Sequence, residues 1–184
     1  TLRMVTTTGE ISEPITGFPV VDDRKQGGLL DVAHAPDFET SRMLYFTFAE
    51  KTPQGSLTAV GKGRLTADEK QIENFQVIYR AIPYYDNSMH FGSRIVFDQN
   101  ENIFVSTGER SDIETRPNAQ LLDNGYGKVI HITPNGEPVA GKPYVYTAGA
   151  THDSSTYGHS NTQGLDLHNV NAEIWFSVIG PRGG

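Results

Sequence analysis

Apolar residues in this chain come in short runs, alternating or nearly continuous, and no segment sustains a period of 3.6. The pattern predicts strands over 42–49, 58–65, 75–80, 95–97, 103–107, 128–133 and 173–178, each carrying β-branched or aromatic residues. Polar turn signals separate them at 36–37, 53–55, 98–100, 134–136 and 141–143. Only 67–74 suggests a helical turn.

Three stretches repeat one grammar: a small residue, a short apolar strand, a polar turn, then an aromatic-bearing strand. They are 28–38 leading into 44–48, 92–98 into 102–108, and 164–168 into 173–177. Further strands follow the first two copies, so the unit is a meander of about four strands. Such a unit exposes apolar faces unless it stacks on a neighbour, which predicts an all-β fold and a β-propeller. A β-sandwich whose regular turns mimic a repeat is the alternative. Residues 1–184 then read as a partial propeller domain with repeats starting near 28, 92 and 164, about three blades. A ring takes at least about four blades. Self-association through the open blade faces is the expected way of covering them.

Composition narrows the function. Fifteen Lys and Arg stand against 22 Asp and Glu, a formal charge of -7, which repels phosphate backbones and argues against nucleic acid. The chain contains no cysteine, so disulfides, thiolate metal sites and cysteine nucleophiles are out. No apolar run approaches the roughly 18 residues of a membrane span, and no signal peptide is visible in a chain that starts at Thr1.

His90 stands just outside a predicted strand, followed by Gly92 and Ser93, which let another group approach closely. An imidazole titrates near neutrality and can accept and return a proton; equally, a histidine here could plug a loop. Glu109 ends the next strand, where antiparallel pairing could bring its carboxylate to His90, or it belongs to a solvated turn. Residues 157–164 collect polar side chains and two glycines before a first strand, suited to quinone or carboxylate oxygens or to a surface turn. Gln26 occupies the matching place in the first copy. The six histidines form no local metal pair, whereas calcium bound by backbone carbonyls would leave no trace in sequence. Arg94 and Arg182 could meet acidic cofactor groups or a rim carboxylate. No glycine-rich nucleotide loop is present.

The stretches 26–38, 90–98, 106–109, 119–120 with 127–129, 158–165 and 180–184 occur in the order expected of one family. By them the chain resembles the soluble quinoprotein glucose/sorbosone dehydrogenases, most of all their bacterial aldose sugar dehydrogenase branch. The resemblance implies a six-bladed propeller using pyrroloquinoline quinone (PQQ) and calcium, acting on a sugar with an electron acceptor, in the periplasm or secreted. It implies His90 as general base with Glu109 as its acidic partner. It also implies Gln26, His90 and Asn161 as quinone contacts, and the carbonyls of Gly180 and Pro181 as calcium ligands. Two departures stand out: Ser160 where the family has an arginine over the cofactor, and 177–179 where an acidic residue and a histidine usually precede Gly-Pro. The isolated chain is therefore expected to lack dehydrogenase activity unless a partner completes it. The alternatives are a propeller that binds without catalysing, or a calcium-dependent lactonase-type hydrolase.

Overall fold

The computed structural model describes residues 1–168 and 170–180. Its strands are β1 (Leu29–His34), β2 (Met43–Thr52), β3 (Gly55–Leu65), β4 (Ile72–Arg80), β5 (Gly92–Phe97), β6 (Ile103–Thr107), β7 (Lys128–Ile132), β8 (Ser154–Tyr157), β9 (Asn161–Leu167) and β10 (Ile174–Ile179). β1 to β4 pair antiparallel in chain order, as do β5 to β8, and β9 pairs with β10. These three antiparallel sheets, stacked side by side, make the chain a β-propeller of about three blades.

Strand alternation explains how the sheets stack. In β2 the odd residue Tyr45 faces one way and Leu44, Phe46 and Phe48 face the other, and all are buried. A strand covered on both faces reads as a near-continuous apolar run, and 43–49 is broken only by Thr47, whose buried hydroxyl donates to the Ser93 carbonyl. Tyr45 and Val60 join Ile95, Ile103, Val105, Ile130 and Ile132 of the second sheet in one cluster. Phe46 and Phe48 turn away from that cluster toward Phe75, and Phe18 lies edge-on to Phe46 at 4.9 Å.

Polar bonds then join the first strands of the three sheets. Asp31 of β1 accepts the Ile95 N–H through Oδ2 at 3.2 Å, and its Oδ1 lies 3.5 Å from the Arg94 guanidinium. Arg94 Nε in turn donates to the Gln163 carbonyl of β9 at 2.8 Å. β1, β5 and β9 are thereby neighbours, and the loops that precede them are brought together.

The helical turn expected at 67–74 does not form. Thr66 Oγ1 accepts the Gln71 N–H at 3.1 Å and Glu69 takes φ 60, closing a tight turn that delivers Ile72 to its pairing with Leu65. A one-turn helix, Phe38–Ser41, and the polar edge strand β8 carry no apolar period and were not expected.

The shared cluster makes a direct prediction. Ile130→Ala removes a side chain with no solvent exposure at the contact between the first two sheets. It should lower the unfolding free energy by about 2–5 kcal/mol in urea titrations.

Candidate functional site

His90 sits in the loop entering β5 with φ 50, a left-handed conformation uncommon for a residue with a side chain. Three contacts hold it there. Its N–H donates to Gln26 Oε1 at 2.8 Å, and its carbonyl accepts the Arg110 N–H at 3.3 Å. That carbonyl also lies directly over Gly108, where any Cβ would come within 2.1 Å of the oxygen. Only glycine permits this approach. Glu109, which follows β6 after Gly108, donates its N–H to the Ser160 carbonyl at 2.9 Å, which fixes it against the third repeat.

The side chains then meet. His90 Nδ1 lies 3.0 Å from Glu109 Oε1. Ser160 Oγ donates to the same oxygen at 2.8 Å, and the Ser111 N–H donates to Oε2. A carboxylate ringed by donors is an acceptor, so Nδ1 must carry the hydrogen and a neutral ring keeps its Nε2 lone pair. The Glu109 side chain is 5% exposed and that of His90 19%, so the acid is enclosed while the imidazole reaches open space.

That space is a cleft of about 440 Å3. Beyond the pair, Arg116, Ala119 and Gln120 line it from a 3-10 turn, Arg116–Gln120. Gly158, His159 and Ser160 supply another wall, and Ile179 and Gly180 close the end of β10. His159 accepts or donates at Thr156 Oγ1 at 2.8 Å and stands edge-on to Phe176. Burial, and then the charge of Lys128, push its imidazole below the usual range, so it is neutral at pH 7. Lys128 is wholly buried, with Nζ donating to the carbonyls of Asn118, Ala119 and Tyr126. Burial pulls its ammonium down to about 8.

Of the residues singled out in sequence, His90 and Glu109 share the cleft. Asn161 is buried behind it, with Oδ1 accepting the Gly92 N–H at 2.9 Å. Gln26 faces a second cavity of about 190 Å3, together with Arg94 and Gln163. Gly180 is on the cleft wall; Pro181 and Arg182 lie outside the described residues. Sequence reasoning passed over Arg116 and the Ser111 amide. Pro117 in the first turn of the 3-10 helix was the available signal for the first, since proline is tolerated in a helix's first turn; the second left none.

The glucose/sorbosone dehydrogenase family matches the chain over residues 1–184. Aldose sugar dehydrogenase YliI of Escherichia coli K12 is 38% identical over 175 residues, 95% of this chain and 46% of that protein. The solved apo-form of the soluble aldose sugar dehydrogenase from Escherichia coli superposes with a TM-score of 0.92 at 36% identity, covering 99% of this chain and 52% of the other. A PQQ-bound aldose sugar dehydrogenase from Streptomyces coelicolor superposes at 0.81 with 27% identity, covering 97% of this chain and 50% of that one. The chain thus spans about half the length of these relatives.

Lys128 gives the site a pH signature. Unfolded, the lysine keeps its proton up to 10.5, whereas folded it releases it at about 8. Between those values the unfolded state binds more protons, so stability attributable to this group rises with pH. The difference in melting temperature between Lys128→Met and the parent, followed from pH 7 to 10, should move in the parent's favour as pH increases.

Proposed function

Because the chain belongs to the glucose/sorbosone dehydrogenase family, we propose that the ring it contributes to oxidises aldose sugars by hydride transfer to PQQ, with His90 as general base. The observation that carries this reading is an enclosed carboxylate bonded to one nitrogen of an imidazole whose ring reaches a cleft.

The cleft fits a flat, acidic quinone. Arg116 offers a cation, Gln120 an amide, and Ala119 and Ile179 apolar surface for a ring face. At Gly158, φ +86, a Cβ would come 3.1 Å from Gln120 Nε2, so the missing side chain keeps that wall open. Gln26 and Asn161 would brace the site through their side-chain carbonyls, which accept the His90 and Gly92 N–H groups, and their NH2 groups would be the donors left for the quinone. Calcium would be held by the carbonyls of Gly180 and Pro181. Carbonyl oxygen is a donor that suits this hard cation, which takes oxygen ligands. When bound, the quinone supplies the two-electron oxidant that takes the sugar's hydride.

The protein's own residues handle the proton. His90 Nε2 accepts it from the sugar hydroxyl, and the imidazolium so formed faces the Glu109 carboxylate across Nδ1. Ser111 and Ser160 keep that carboxylate from rotating away. No helix among the described residues is long and apolar enough to cross a membrane, and we place the protein in the periplasm or outside the cell by analogy with the family. One observation favours a second reading, a propeller that binds without catalysing. Ser160, standing where the family has an arginine, is turned inward onto Glu109 and takes no cationic contact into the cleft.

Titration with PQQ and calcium, followed by assay of aldoses with an artificial electron acceptor, separates the two. The dehydrogenase reading expects calcium-dependent quinone binding and turnover by the completed ring, with His90→Gln slower by about 10²–10⁴-fold. Absence of quinone binding would leave the binding module.

A further inference from the structure

Arg110 is 1% exposed, and among the described residues no carboxylate lies within salt-bridge distance of it. A buried charge without a counter-ion is costly unless hydrogen bonds replace its water. Here they do. Nη1 donates to the Ser56 carbonyl at 2.5 Å, and Nη2 to Ser56 Oγ at 3.1 Å and to the Asn87 carbonyl. Nε donates to the Met89 carbonyl at 3.1 Å, and the guanidinium lies 4.1 Å from the centre of the Phe91 ring. Burial pushes its pKa down to about 10, which still leaves a cation at neutral pH.

These partners share one feature. Asn87, Met89 and Phe91 belong to the loop that carries His90, and Ser56 belongs to β3 of the first sheet. Arg110 and Ser111 both adopt left-handed backbone, φ 70 and 56. Those two turns send the guanidinium toward the His90 loop and the Ser111 N–H onto Glu109. The segment 109–111 therefore holds both members of the pair, one by the chain and one by the guanidinium.

We propose that Arg110 is a positioning residue for the His90–Glu109 pair: its guanidinium clamps loop 87–91 to β3, and this keeps His90 Nδ1 within hydrogen-bonding reach of Glu109. Lysine has the charge but cannot donate in three directions from one plane. The catalytic meaning of the clamp rests on the dehydrogenase reading; the clamp itself does not.

The test is 15N NMR of the histidine rings in the full chain, which reports which ring nitrogen carries hydrogen and needs neither quinone nor sugar. The parent should show His90 as the Nδ1–H tautomer with a downfield, slowly exchanging ring proton. Arg110→Met, which keeps apolar length over Phe91, should lose that proton and show the Nε2–H form favoured by free imidazole. Arg110→Lys should regain part of the signal, and all three should melt cooperatively. An unchanged His90 spectrum in Arg110→Met would overturn the proposal. So would loss of cooperative melting in both variants, which would make Arg110 a requirement of the fold. Either failure is distinct from failure of the dehydrogenase reading, which is decided by quinone binding and turnover.

Discussion

A four-stranded meander with apolar side chains on both faces must be covered on both, and this constraint shapes the molecule. Tyr45 and Val60 leave the first sheet to pack against Ile95, Ile103, Val105, Ile130 and Ile132 of the second. Burial of this apolar surface, worth roughly 25 cal/mol per Å2, favours the stacked arrangement. Once the sheets are stacked, the polar ties set their alignment: Asp31 to β5, and Arg94 to Gln163, line up the first strands. The loops before those strands converge as a consequence of the packing.

Chemistry at the convergence depends on how charge is held. Glu109 is an enclosed anion satisfied by three donors from His90, Ser111 and Ser160. Two buried cations, Arg110 next in the chain and Lys128 behind the 3-10 turn that lines the cleft, are solvated by main-chain carbonyls. Carbonyl dipoles stabilise the cations without competing for the carboxylate, so the hydrogen bond between Glu109 and His90 persists in a region rich in positive charge. Opposite charges placed within reach of one another would have drawn Glu109 out of its partnership with the imidazole.

Much of the fold was legible because β-strand alternation and turn residues are local signals. Residues 44–48, 103–107 and 128–132 are strands for reasons visible in the sequence, and the repeat predicts their stacking. Where side chains carry no apolar signal the reading stops: β8 is Ser-Ser-Thr-Tyr, and its pairing with β7 is dictated by the neighbouring strand. The helical turn at 67–74 was displaced by Thr66, whose hydroxyl competes with helical hydrogen bonding. At the site, His90 and Glu109 could be paired from strand adjacency. Arg110 looked like part of a solvated turn, because its role depends on two left-handed residues and on a carbonyl from β3 more than fifty positions away, neither of which sequence reports.

The Glu109 N–H ends on the Ser160 carbonyl, and the His90 N–H ends on Gln26, so the two halves of the pair are anchored in different repeats. No blade owns the constellation. Exchanging a single blade for that of a relative would import one anchor and orphan another, so recombination within this scaffold must move adjoining loops as a linked set. Divergence of the relatives should accordingly run faster on the outer strands than at these junctions, where a change on one repeat demands an answer from the next.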